Sequence, residues 1–205
     1  MRVLPAGRAA VLVEVADTDE VLALHHRLRV AAQEVACGLV EVVPAARTVL
    51  VEFDPKRTDV ATVTALVASL PLTEPPPSDR PEVLVEVRYD GADLDEVCAL
   101  LGRDRARFVG WHTAQPWQVA FTGFVPGFGY LVRADHRVEV PRLDTPRPRV
   151  PAGSVAMAGP YTGVYPRATP GGWRAVGTTE HPLFDPAHPA TQPWAPGSRV
   201  RFVAR

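Results

Sequence analysis

The stretch FTGFVPGFGYL, Phe121–Leu131, sets four aromatic rings and three glycines around a single proline. A plain strand rejects that composition, because glycine adds backbone entropy and proline removes a ladder donor. The segment therefore marks either a tight corner of a β structure or a place where backbone is brought close to a ligand. Two further segments share its character: RVPAGSVAMAG (Arg149–Gly159) and TGVYPRATPGGW (Thr162–Trp173). Around them run WQVAFTGF, SVAMAG, WRAVGT and RVRFVA, short strand-like stretches separated by Gly and Pro turns, as in a barrel or sandwich. Residues 80–205 are accordingly read as a mostly β domain. EVLVEVRYD (Glu82–Asp90) enters it as a strand, and two helices follow. Asp93 and Glu96 form a capping pattern ahead of Leu94, Val97 and Leu101, and the second helix covers Asp104–Thr113.

Upstream the composition changes. Residues 1–79 hold only two of the 15 glycines, Gly7 and Gly38, and the join LPLTEPPPSDRPE (Leu70–Glu82) is rich in prolines that favour an extended spacer. AAVLVEV (Ala9–Val15) alternates like a strand, and Asp17 with Glu20 offers a cap to a helix whose apolar face is Val21, Leu24, Leu28 and Ala31. Strands near Leu39–Val43 and Thr48–Phe53 follow, then a helix capped by Thr58 or Asp59 that buries Val60, Val63, Val67 and Leu70. The order β-α-β-β-α describes a small α/β sandwich, residues 1–79, with helices on one sheet face. The whole chain is therefore of the α+β class.

Composition excludes several functions. A net charge of -1 over 205 residues provides no whole-chain attraction to nucleic acid or to a membrane surface, so neither partner is expected. No apolar run approaches the roughly 18–20 residues that span a bilayer, and MRVLPAGRAAVLVEV lacks the ordered parts of a signal peptide. A cytoplasmic protein is expected. Cys37 and Cys98 have no metal-ligand spacing and read as buried thiols. The lone lysine, Lys56, stands in no G-x-x-x-x-G-K-[ST], and the dinucleotide, zincin and hydrolase-elbow motifs are missing. No metal site is expected.

The candidate functional residues lie in the three loops. The loops that contain Gly123, Pro126, Gly127 and Gly129, then Gly153 and Ser154, then Gly171 and Gly172 can each present backbone N–H groups, from their residues other than proline, to an anion or amide. Tyr130, Tyr165 and Trp173 would form the walls. The alternative is that these loops are barrel corners. His112, one helical turn from Phe108 and beside Trp111, is either a satisfied histidine at a domain edge or a residue with a catalytic or ligand role. Arg147 and Arg149 alternate with prolines that hold them extended, able to clamp a carboxylate or phosphate or simply to be solvated. Ser154 has no base in its local sequence, which favours a hydroxyl bonded within the turn over a nucleophile. His25 and His26 face different directions on their helix, and His181 and His188 are weak metal candidates in proline-flanked loops.

These loops carry a family resemblance. GFVPGFGYL, TPRPRVPAGSVAMAG, TGVYP, TPGGW, the LFDP at Leu183–Pro186 and a closing PGSRVRF, in that order, resemble the KipI-like family. That family includes the B subunit of the bacterial ATP-dependent 5-oxoprolinase and proteins labelled allophanate hydrolase subunit 1. VVPAARTVLVEFDP extends the match more loosely into the first half. The resemblance implies an N-terminal α/β domain followed by a cyclophilin-like β-barrel. It implies a hetero-oligomer with a KipA-like subunit, similar to the carboxyltransferase part of urea carboxylase. Together with a third, lactam-utilisation-type subunit, such a complex opens 5-oxo-L-proline to L-glutamate at the expense of ATP. The resemblance leaves open which of the three chains binds ATP, and implies a chain inactive alone. Two other roles stay open: a KipI-type regulator that inhibits a histidine kinase, and a component of a urea or allophanate pathway. Gly129 stands where the family often has proline, and Ser198 where aspartate is common.

Overall fold

Asp17 starts the first helix, α1 (Thr18–Glu34), by accepting the Glu20 N–H at 3.0 Å, while the Glu20 carboxylate reaches back to the Ala16 N–H at 2.8 Å. The structure is a computed structural model in which residues 1–34, 38–72, 81–133, 138–185, 187 and 194–205 are described. Cys37, Pro186, His188 and most of the Leu70–Glu82 join lie outside the described residues. The chain divides into two compact units, Met1–Pro77 and Ser78–Arg205.

The first unit is a four-stranded antiparallel sheet. Its strands are β1 (Arg2–Pro5), β2 (Ala10–Glu14), β3 (Leu39–Pro44) and β4 (Thr48–Phe53), in the order β1-β2-β4-β3. Strand β1 is not expected from the sequence, so the element order becomes β-β-α-β-β-α. As an edge strand, β1 tolerates Pro5. The period-2 pattern works as anticipated: Val11, Val13, Val49, Val51 and Phe53 are buried, while Leu12, Glu14, Leu50 and Glu52 are not. Val21, Leu24 and Leu28 of α1 join that core, and α2 (Val60–Ser69) adds Val63 and Val67. Asp59 caps α2 by accepting the Thr62 N–H at 2.8 Å. His25 is buried on α1, which pushes its pKa down to about 4, with Arg29 and His26 adding to the effect of burial, while His26 is exposed.

The second unit is built on seven strands: β5 (Val83–Val87), β6 (Trp117–Thr122), β7 (Gly129–Val132), β9 (Ser154–Ala158), β10 (Tyr161–Val164), β12 (Arg174–Thr178) and β13 (Arg199–Ala204). They run in the order β12-β9-β10-β7-β6-β13-β5, antiparallel throughout except for the parallel pair β13–β5. One antiparallel bridge, Arg88 with Thr178, joins the two ends of the sheet through bonds of 2.9 and 2.8 Å. The sheet is thereby a nearly closed barrel. A separate ribbon pairs β8 (Arg147–Val150) with β11 (Thr169–Gly171).

Helices α3 (Leu94–Leu100) and α4 (Arg105–Thr113) complete the unit. The second helix forms where expected, and Asp104 caps it by accepting the Arg107 N–H at 2.7 Å. Asp93 stands at the N-cap of α3 but makes no side-chain cap bond there. Its carboxylate is instead held by Arg147, at 2.6 and 2.8 Å, and by the Ala175 N–H at 2.7 Å. The expected Asp93–Glu96 capping pair is thus replaced by a tie between α3, β8 and β12. Glu96 turns to Arg174, 2.5 Å away.

Candidate functional site

Alternation along the barrel strands sorts the loop residues onto two faces. Leu131, Val155, Met157 and Val164 point inward and pack with Val85, Trp117, Val119, Trp194 and Phe202. Their neighbours Tyr130, Ala156, Ala158 and Tyr161 belong to a second apolar cluster on the outer face, with Phe128, Val150, Tyr165 and Trp173. Ala156, Ala158 and Gly163 make a small-residue floor in that cluster. A Cβ on Gly163 would stand 2.8 Å from Phe128 Cζ and 3.1 Å from Trp173 Cζ3, so two rings rest where any other side chain would be.

The three loops singled out in the sequence therefore converge on one aromatic face. Phe128 meets Tyr130, Tyr165 and Trp173 edge-on at centroid distances of 5.1, 5.4 and 5.2 Å, a favoured geometry for ring pairs. Phe121 stacks on Tyr130 at 4.3 Å, and both meet Tyr161 edge-on. Burial raises the Tyr130 and Tyr165 phenols; Arg142 opposes the shift at both, and at Tyr165 the Trp173 backbone N–H opposes it as well. Arg142 itself is exposed, in a segment fixed to the TPGGW loop by the Leu143 N–H donating to the Gly172 carbonyl at 2.8 Å.

Phe124, absent from the residues picked out in the sequence, is the exposed end of this face. It is 57% exposed and has φ +69°, the one non-glycine residue with positive φ among the described residues. Its ring touches only the edge of the cluster, at Phe128 and Tyr165. A left-handed phenylalanine stores about 1–2 kcal/mol of strain, and such strain collects at sites of function. Thr122–Gly127, including exposed Pro126, line an open groove of about 360 Å³. The signal that could have revealed Phe124 is its place between Gly123 and Val125-Pro126-Gly127, where a turn must form and glycine is not at the strained position.

The glycines approach the chain's own side chains. Gly127, at φ +84°, lies under Phe184, with 2.6 Å from a built Cβ to the Phe184 Cβ, and Gly129 lies under Trp194 at 2.7 Å from Cε3. Gly123 has nothing nearer than 4.0 Å. Gly171 sits beneath the Tyr165 hydroxyl, and Gly172 is in ordinary contact with Pro146. Gly153, at φ +77°, is clamped in a corner: its N–H donates to the Tyr165 carbonyl and its carbonyl accepts the Thr179 N–H, each at 2.8 Å. Ser154 is buried at the start of β9.

His112 lies inside the barrel, not at a domain edge. It is fully buried, stacked on Phe108 and Phe202, with Nδ1 2.8 Å from the Tyr89 hydroxyl and Nε2 3.3 Å from the Thr162 hydroxyl. Burial, reinforced by Arg133, pushes its pKa down to about 3, so the ring is neutral. The Thr162–His112 spacing suits a hydroxyl and a base, yet both groups are sealed from solvent. Arg147 is taken by Asp93, whereas Arg149 is exposed and forms no ion pair among the described residues. Cys98 is buried, which raises its thiol pKa. Among the described residues no group of three or more His, Cys, Asp or Glu side chains could hold a metal ion, and no helix is long and apolar enough to cross a membrane.

A four-stranded α/β unit followed by a nearly closed barrel with an aromatic outer face defines a two-unit α+β protein of the carboxyltransferase-domain type. The chain belongs to the family described as carboxyltransferase domain, subdomain C and D, whose model matches residues 1–194. It is 46% identical over 122 residues to a 5-oxoprolinase B subunit of Escherichia coli O157:H7, covering 58% of this chain and 56% of that protein. It is 41% identical over 113 residues to a 5-oxoprolinase B subunit of Bacillus subtilis, covering 55% and 47%. The matched region thus spans about half the length of these curated relatives. Among solved structures, TTHA0988 aligns with a TM-score of 0.78 at 33% identity, over 97% of this chain and 40% of that one. PH0987 of Pyrococcus horikoshii aligns at 0.57 and 31%, over 100% and 97%. The K. lactis urea amidolyase, at 0.68 and 18% identity over 100% of this chain and 16% of that one, shares the fold.

Proposed function

We propose that the chain is the B subunit of an ATP-dependent 5-oxoprolinase that opens 5-oxo-L-proline to L-glutamate, working with a KipA-like subunit and a lactam-utilisation-type subunit. The observation that carries this reading is the shared name of its relatives, each the B subunit of a 5-oxoprolinase, at 36–46% identity. The geometry supports a contributing chain that is inactive alone. Its histidine–hydroxyl pair, His112 with Thr162, is enclosed in the core, and its three loops expose Phe124, at the rim of the aromatic cluster, and the cation of Arg149. Lactam opening needs charge-stabilising donors at the amide more than a protein nucleophile. ATP, consumed by the assembly, supplies the activation of the ring amide. Arg149 is the residue of the arginine pair available to an anion, because the Arg147 guanidinium is already bidentate on Asp93.

The test is to co-purify this chain with the KipA-like and lactam-utilisation-type chains and to measure ATP-dependent glutamate release from 5-oxoproline. Turnover is expected from the assembled complex and not from this chain alone. An assembled complex without turnover would refute the reading.

A further inference from the structure

We propose that the open edge of β5 is completed by an extended segment of the KipA-like partner, which adds as an antiparallel strand continuing the line of β12. This rests on the assembly just described for its partner, and on the backbone of this chain for its chemistry. Among the described residues, strand β5 is last in the sheet order, paired on one side only with β13. The Arg205 N–H donates to the Val87 carbonyl, so residues 83, 85 and 87 turn their backbone groups toward β13. Arg88 exchanges both of its bonds with Thr178, so the alternate residues turn theirs the other way. The N–H and C=O of Leu84 and Glu86 consequently face outward from the sheet, and no described strand pairs with them.

The reason is the path of β12. The Thr179 N–H still donates to the Gly153 carbonyl, on the β9 side, at 2.8 Å, but beyond Thr178 no backbone bond to β5 follows among the described residues. A groove of about 490 Å³ opens where β12 would have continued, its walls including Leu84, Glu86, Thr179, Glu180 and Arg205. Leu84 is 58% exposed at its edge, and Val203, opposite Glu86 in register, is also exposed.

Donors and acceptors repeating every second residue, about 6.8 Å apart, are the complement of another extended backbone. An unprotected edge of this kind is a template for a further strand, a recurring mode of peptide recognition. The bridge at Arg88–Thr178 already sets the antiparallel register, so the incoming segment pairs first with Glu86 and then with Leu84. An apolar side chain of that segment packs on Leu84.

Hydrogen exchange of the wild-type chain, alone and with the KipA-like partner, tests this. The Leu84 and Glu86 amides are expected to exchange freely alone and to slow at least about tenfold in the complex. Glu86→Pro removes an N–H that no described strand of this chain uses, so it should keep the fold, checked by its melting temperature, yet weaken association about tenfold or more. Glu86→Ala should bind like wild type, and Leu84→Asp should bind more weakly than wild type. If the complex forms while both amides exchange as before, the strand-addition proposal fails and the assembly stands. Should the wild-type chain not associate with the KipA-like partner at all, both readings fall together.

Discussion

Replacing Gly129 by alanine tests whether the glycines of FTGFVPGFGYL exist for packing within this chain. A Cβ there would meet Trp194 Cε3 at 2.7 Å and Cζ3 at 3.5 Å, and Trp194 is buried in the barrel core, so the ring has no free direction in which to retreat. Inserting a methyl group into such a contact costs about 1–3 kcal/mol. Gly129 lies in β7 without a left-handed φ, so alanine recovers about 0.4–1 kcal/mol through the unfolded chain. The net loss should be about 1–2 kcal/mol, read from urea denaturation as a lower midpoint at unchanged slope. Gly123→Ala, whose nearest atom is 4.0 Å away, should fall within about 0.5 kcal/mol of wild type. Trp194→Leu destabilises by itself, but in its background Gly129→Ala should cost almost nothing, a coupling of about 1 kcal/mol or more. Equal stability of the Gly129 and Gly123 variants, or a Gly129 penalty that survives Trp194→Leu, would refute the reasoning.

Three other outcomes are expected. Phe124→Gly should be about 1 kcal/mol more stable than Phe124→Ala, since both lose the ring and only glycine relieves φ +69°; identical denaturation midpoints would remove the strain from the account. Asp93→Asn should cost about 2–3 kcal/mol, less than a fully buried pair because Arg147 keeps a third of its side chain in water, and thermal melts of the two proteins check it. Acid should weaken both units. His25 and His112 are neutral when folded, with pKa values near 4 and 3 against about 6.5 unfolded, so the unfolded chain binds more protons in that window. Their contribution is complete above pH 6.5 and is lost as pH falls toward those folded values; a His25→Leu protein whose melting temperature shows the same slope between pH 6.5 and 4 would contradict this.

Much of the fold was legible because the chain alternates cleanly. Val11, Val13, Val49 and Val51 declared one buried face, and Asp17 and the Thr58-Asp59 pair declared two helix starts, of which the structure uses Asp59 for the second. Strand β10 was hidden because Gly163 in TGVYP looks like punctuation, whereas it is a strand residue emptied of its side chain to seat Phe128 and Trp173. Strand β1 was hidden by its four-residue length and its proline. The convergence of the three loops could be anticipated from their shared composition, but the sharing out of Asp93 among Arg147, Ala175 and α3 could not. That tie links residues 54 and 82 positions apart, and local pattern carries no trace of such distances. Phe124 escaped notice because sequence reasoning assigns left-handed backbone to glycine, and here a phenylalanine bears it.

The place of β13 has a consequence for how the protein is made. This strand lies between β5 and β6, two segments translated long before it, and pairs with the first of them in parallel across more than a hundred residues. Such distant pairing is slow, and it leaves early strands exposed while they wait. On the ribosome, β5 lacks its strand neighbour β13 until Arg199–Ala204 has emerged, so the barrel can close only after nearly the whole unit has been synthesised. A partner that recognises the closed barrel would therefore select finished chains and pass over truncated ones.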